Sequence, residues 1–414
     1  MNVSRGSCTL LVTLAALVFV PHARATSSPQ TARADVKQIP AVALSYDGRH
    51  LAWIVASADK TGLFLASPSG SNARRVEIPG DCREAGLRWA RRWNELAVMT
   101  HCTSTAGPDR SAIWLLDVQA DQPPRKVADF AGFAHGMQWT NDGKRIAFLY
   151  VPDASATGGN AVQRVATIPI TGGEPEFVTP ENLDVYEFSW TVTDSQGLAY
   201  TATPIGWNRW DARLYTQAAD ARATPRTIVD PAVPGPLHGR HIVLPRWSIW
   251  TSQIFFLGVS DERDATSGSI YSVPAGGGMP VDLTVGSGAK PSWFDMKGTV
   301  LTGTRRVDGS VEMVSYATVP HSDRPGAIFF SVPGSITDGR APLSVSVSWR
   351  NRPRVAFVQS SPGSPPEIHA GTLGTQPPPA VTTINASLKP DIAKAEQQRR
   401  SDDNLCVHVG CRNP

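Results

Sequence analysis

A hairpin-like unit recurs along this chain and limits its fold more than any other feature. It is clearest at "WTNDGKRIAFLY", Trp139 to Tyr150: an aromatic, a polar turn carrying Asp-Gly, then an apolar run. Its relatives are "LSYDGRHLAW" from Leu44, "WARRWNELAV" from Trp89, "WTVTDSQGLAY" from Trp190, "WSIWTSQIFF" from Trp247, "WFDMKGTVLT" from Trp293 and "WRNRPRVAFV" from Trp349. In most copies the second run begins seven positions after the Trp or Leu, and the seven copies are spaced by 45, 50, 51, 57, 46 and 56 residues. A second element follows each copy, as in "RVATIPITGGEPEFVT" or "IYSVPAGGGMPVDLT": an alternating strand, a Gly/Asp/Pro turn and another short strand. The unit is therefore two hairpins, or four antiparallel strands.

A four-stranded unit repeated every few dozen residues cannot bury both faces alone, whereas a closed ring of such units can. The spacing predicts an all-β fold, a seven-bladed β-propeller of four-stranded antiparallel blades, over residues 38–385. Composition agrees: 35 glycines, 34 prolines and only 18% charged residues favour short strands and turns over helices. The recurring tryptophans read as packing anchors between blades, and the Asp-Gly pairs as hairpin turns, because glycine accepts positive φ. Both terminal blades hold their strands locally, so ring closure is expected to rest on packing of blade one against blade seven.

The ends read differently. "MNVSRGSC", the apolar run "TLLVTLAALVFV" and "PHARA" form a secretory signal over residues 1–25, cleaved after Ala25, since the run is too short to span a bilayer. Residues 26–37 read as a flexible N-terminal segment and residues 386–414 as a linker-like tail. An exported, periplasmic or extracellular protein is expected, with no integral span after cleavage. A net charge of +3 with scattered basic residues gives no stripe for nucleic acid.

Candidate site residues are few. Cys82 precedes the first strand of blade two and Cys102 follows its second, and a turn near Arg92 and Trp93 would make them cross-strand neighbours. In an exported protein they should form a disulfide. "GWNRWDARLY", between the second and third strands of blade four, concentrates Trp207, Arg209, Trp210 and Arg213, the residue types of a binding loop. His238 and His241 are three apart, but without further ligands they read as a polar loop between blades. No metal and no cofactor is expected.

The pairs "DGKRIAF" with "ITGGEPEFVT" and "DGRHLAW" with "SPSGSNARRV" resemble the repeats of TolB-like propellers and of the propeller that precedes the hydrolase in the prolyl oligopeptidase family. "VAFVQSSPGSPPEIHAGTL" followed by "TTINASLKPDIAKAE" favours the second, being similar to the passage where dipeptidyl and acylaminoacyl peptidases leave their propeller. That family's Gly-x-Ser-x-Gly nucleophile motif occurs nowhere in this sequence. The resemblance therefore implies a propeller without the catalytic half, and the end "SDDNLCVHVGCRNP" reads as the product of a frameshift or early stop, the alternative being a genuine short tail. The expected function is that of an exported, monomeric, non-catalytic propeller that binds a peptide or protein partner. The alternatives are a TolB-like accessory propeller of an envelope complex and a propeller subunit that gates a separately encoded serine hydrolase.

Overall fold

The computed structural model describes residues 36–388 apart from 59, 92–93, 104–107, 121, 153–160, 192–196, 249–250, 261–267, 286–290, 298–299, 319–325, 337–344, 351 and 362. The expected signal over residues 1–25, most of the N-terminal stretch, the expected turn at Arg92 and Trp93 and nearly all of the tail lie outside the described residues. Seven antiparallel sheets follow one another along the chain, each a meander of consecutive strands. Six hold four strands. The seventh holds three, with its fourth position taken by Ala380, which bridges His369. Among the described residues the only helical pieces are single 3-10 turns at Arg209–Asp211 and Ala386–Leu388.

Period-2 alternation explains why these sheets form a ring. In the second strand of blade one, Leu51 and Trp53 face blade seven, while Ala52 and Ile54 face blade two. The same division holds around the molecule, giving seven apolar clusters, each shared by two neighbouring blades. Fully buried side chains such as Phe148, Phe255 and Phe357 fill them. Truncating one to alanine should cost about 3–5 kcal/mol. No blade has a private core, so no blade is stable alone.

The Asp-Gly turns work as the sequence suggests. Asp47 accepts a hydrogen bond from Ser45 Oγ at 2.6 Å, and Gly48 at φ 70° donates its N–H to Ser45 O at 2.9 Å. Thr140, Asp142 and Gly143 repeat the arrangement in blade three.

The innermost strands are Gln38–Leu44, Arg83–Trp89, Phe133–Trp139, Leu183–Trp190, His241–Trp247, Pro291–Lys297 and Val345–Ser348. Trp89, Trp139, Trp190 and Trp247 end their strands opposite Leu96, Ile146, Leu198 and Ile254, and Leu44 holds this place in blade one, opposite Leu51. Blades six and seven depart from the sequence alignment. There Met296 opposite Leu301 and Val347 opposite Val355 stand at the anchor position. Trp293 lies three residues too early, opposite Thr304, and Trp349 lies past the end of its strand. The reason is turn length: blade six pairs Lys297 with Val300, whereas blade three needs the longer turn from Trp139 to Ile146.

No strand is exchanged between the two ends of the described chain, yet closure uses more than packing. Leu44 N–H donates to Ser346 Oγ at 2.9 Å and Ser348 Oγ donates to Tyr46 O at 2.7 Å. Asn385, fully buried, accepts from Lys37 N–H at 2.9 Å and donates back to Lys37 O at 2.9 Å. The Glu367 carboxylate holds the Asn385 and Ile384 N–H groups at 2.6 and 2.9 Å. One side chain thus ties the start of the ring to its end.

Candidate functional site: the central channel

The innermost strands enclose a cavity of about 610 Å³. One position recurs around it, the residue immediately before the anchor: Ala43, Arg88, Gln138, Ser189, Arg246, Asp295 and Ser346, all of which line the channel. At most of these positions the side chain reaches the next blade. Gln138 donates to Phe188 O at 2.7 Å and accepts from Trp190 N–H at 3.1 Å. Ser189 Oγ accepts from Trp247 N–H at 2.9 Å, and Arg246 pairs with Asp295 at 3.4 Å. Ser346 closes the circle to blade one. Asp295 answers the blade before it, and two positions join neither neighbour: Ala43 has nothing to donate, and Arg88 makes no hydrogen bond or ion pair through its guanidinium among the described residues. At these two junctions the anchor indoles take over, with Trp89 Nε1 donating to Ala43 O at 3.0 Å and Trp139 Nε1 donating to Arg88 O at 2.9 Å.

The first six innermost strands also carry a bulge or register shift along or opposite them. A bulge re-aims a side chain and sharpens the local twist. Gly86 and Gly136 stand three residues before the anchor in blades two and three, the latter at φ 68°. Leu244 takes the same place in blade five at φ 54°, a region that costs a branched side chain energy. Its N–H is held by the Glu187 carboxylate of blade four. Burial pushes the Glu187 carboxyl up, partly offset by the Leu244 N–H and by Arg246 and Arg209. Burial pulls the Arg88 guanidinium down, with Asp295 opposing that shift and Arg246 and Arg91 adding to it. Four arginines, Arg88, Arg91, Arg209 and Arg246, share this lining with two carboxylates, Glu187 and Asp295.

The loop singled out in blade four contributes unevenly. Arg209 lines the channel and lies 5.2 Å over the Tyr186 ring. Trp207 is 53% exposed and is covered on one face by Arg213 at 5.2 Å. Arg213 is also paired with Asp230 at 2.9 Å. Trp210 packs edge-on against His241 at 4.4 Å, and its carbonyl lies 2.8 Å from His241 Nδ1. Arg209 alone of the four lines the channel, and Trp207 is exposed outside that lining. His238 is exposed and His241 is engaged by Trp210, so the two histidines do not converge. Cys82 and Cys102 are joined as a disulfide, Cα atoms 4.4 Å apart, at the start of blade two.

Sequence reasoning missed the channel set because residue type at that position is not shared; only its place before the anchor is. Two histidines near the channel end also escaped notice. His101 Nε2 lies 2.7 Å from Ala134 O, and His135 Nε2 lies 2.6 Å from Gln163 Oε1. Burial pulls both imidazoles below their ordinary value.

No protein-family model and no curated protein matches this sequence. Solved structures do. An acylaminoacyl peptidase from Pyrococcus horikoshii superposes with a TM-score of 0.60 at 11% identity, over 86% of this chain and 54% of its own. The β-propeller domain of the Trilobed protease from Pyrococcus furiosus, which has an open velcro topology, gives 0.55 at 11% identity over 85% of this chain and 97% of the domain. A prolyl endopeptidase gives 0.53 at 13% identity, over 82% of this chain and 48% of its own. The chain thus spans about half the length of the two peptidases and nearly all of the isolated propeller domain. At these identities the likeness is one of fold: this chain is a seven-bladed propeller similar to the propeller domains of prolyl endopeptidase and acylaminoacyl peptidase.

Proposed function

We propose that the chain is an exported, non-catalytic propeller that binds a peptide segment, free or belonging to a partner protein, in its central channel. The observation that carries this reading is the lining itself: a cavity of about 610 Å³ with arginines, aromatic rings and inner-strand edges converging on it. Such a mixture suits an extended backbone with side chains of several kinds. The signal-like N-terminus supports export, and the lack of Gly-x-Ser-x-Gly supports a non-catalytic role. The test is calorimetric titration of the purified chain with a degenerate mixture of hexapeptides. Saturable binding is expected, and Ala43→Trp, which grows into the channel, should abolish it. Binding that survives in Ala43→Trp, or no binding by the parent chain, overturns the reading. A fluorophosphonate probe should leave every serine unlabelled; stoichiometric labelling of one would contradict the non-catalytic role.

A second reading, a propeller subunit that gates a separately encoded serine hydrolase, rests on a different observation. Strands alternate in direction, so the loops between second and third strands share one end of the ring with the connections between blades. Of the exposed large apolar side chains, Phe133, Ile205, Trp207, Val233, Val285 and Val307 lie at that end, against Tyr46, Met279 and Ile328 at the other. An apolar end is what a docked domain would cover. If a hydrolase docks there, Trp207→Asp should weaken its binding and leave hexapeptide binding unchanged.

A further inference from the structure

We infer that the channel is built to hold a carboxylate of its peptide ligand, with Arg88 as the anchor; this rests on the peptide-binding reading above and names the group recognised. Around the channel the residue before the anchor is used to join one blade to the next, by Gln138, Ser189, the Arg246–Asp295 pair and Ser346. Arg88 breaks that rule. It occupies the same position, yet its guanidinium joins nothing among the described residues, and the junction it would serve is made by the Trp139 indole on its backbone carbonyl instead. The opposite charge that acts on it is Asp295, which Arg246 already holds at 3.4 Å.

Arg88 is half-buried in the channel wall, with its guanidinium turned to no hydrogen-bond partner among the described residues, so part of its charge is drawn from water and only the field of Asp295 offsets that. Nothing in the fold calls for it. Ala43, at the same position one blade earlier, shows that the ring closes without a polar side chain there. What Arg88 lacks is a bidentate acceptor, and a carboxylate matches its planar fork. Arg91 and Arg246 lie close enough to be felt electrostatically and add to the positive field. Ala43, on the neighbouring blade, leaves space beside it. A peptide entering the channel would therefore be drawn in by an acidic side chain or by its terminal carboxylate, and would be held there once Arg88 has found its partner.

The test uses N-acetylated hexapeptides lacking Asp and Glu, with a free terminal carboxylate or as the amide, and a second pair carrying one internal Glu. Amidation of the first pair should weaken binding to the parent chain at least tenfold; the internal Glu should restore it. Arg88→Met should lose the same factor and bind acid and amide equally, and Arg88→Lys should retain part of the preference. The melting temperature of Arg88→Met should equal or exceed that of the parent, since an unpaired charge has been removed. Equal binding of acid and amide by the parent chain, or a preference that persists in Arg88→Met, overturns the inference while leaving peptide binding intact. A large loss of melting temperature in Arg88→Met would show that the arginine serves the fold, and overturns it too. If no hexapeptide binds the parent chain at all, this inference and the reading beneath it fall together.

Discussion

Trp139 and Trp293 hold the same place in the sequence repeat and different places in the ring. Trp139 ends its strand, packs between blades two and three and donates its indole N–H to Arg88 O at 2.9 Å. Trp293 sits three residues earlier in its blade, packs between blades six and seven, and has a buried Nε1 with no hydrogen-bond partner; Trp349 shares that condition. Blades two and three are joined by directed bonds, while blades six and seven meet largely through apolar packing with a short bridge between Ser335 and Ser360. A tryptophan is thus a sign that two blades meet, and not a sign of how. Its bulk is tolerated at several registers because the cluster between blades accepts volume from either strand, whereas the hydrogen bond is available only at the anchor position.

The largest effect should come from the directed side of the molecule. Cys82→Ser opens a loop closed over a sequence separation of 20 residues. Chain entropy puts the loss at about 3 kcal/mol in denaturant unfolding under oxidising conditions. The same change measured in reducing buffer should cost nothing, and non-reduced peptide mapping should recover the two cysteines linked. Next comes Asn385→Ala at the seam of blades seven and one, which strands the Lys37 N–H and C=O. A loss of about 2 kcal/mol is expected, with faster proteolytic clipping of the N-terminal strand. A neutral result would leave closure to packing alone.

Trp139→Phe against Trp293→Phe sharpens the contrast directly. Both remove the same atoms, so the difference isolates the indole bond. Trp139→Phe should be the more damaging by about 1 kcal/mol. Equal losses would mean that the register difference has no energetic consequence. The smallest effect is a pH dependence confined to blades two and three. His101 and His135 are held below the ordinary imidazole value by burial, so the unfolded chain takes up protons first as pH falls. Stability should be flat above the unfolded value of about 6.5 and decline as pH drops below it. His135→Gln should lessen that slope. A stability that rises from pH 7.5 to 5.5 would contradict buried neutral imidazoles.

Much of this fold was legible in the sequence for plain reasons. Asp-Gly turns and period-2 alternation are local, and seven repetitions outweigh the noise in any one. The phase of blades six and seven was not legible, because Trp293 and Trp349 imitate anchors whose position depends on turn length and partner strand. The ring clasp left a trace, the Asn of "TTINASL", which carried no visible meaning until Lys37 lay beside it. The blade-four loop stood out by composition as a candidate binding loop, and of its four residues Arg209 lines the channel. Arg88 was on the page in "WARRWNELAV", directly before an anchor tryptophan, yet its significance comes only from what its six counterparts do.

Whether ligand enters the channel can be read from the tryptophans themselves. The chain labelled with 5-fluorotryptophan and titrated with hexapeptide should show fluorine shifts at Trp89, Trp139, Trp190, Trp247 and Trp293, which line the cavity, while Trp53 and Trp114, away from it, stay fixed. Shifts confined to Trp207, or to Trp53 and Trp114, with the channel resonances unmoved, would place the ligand on the outside of the ring and contradict a channel site.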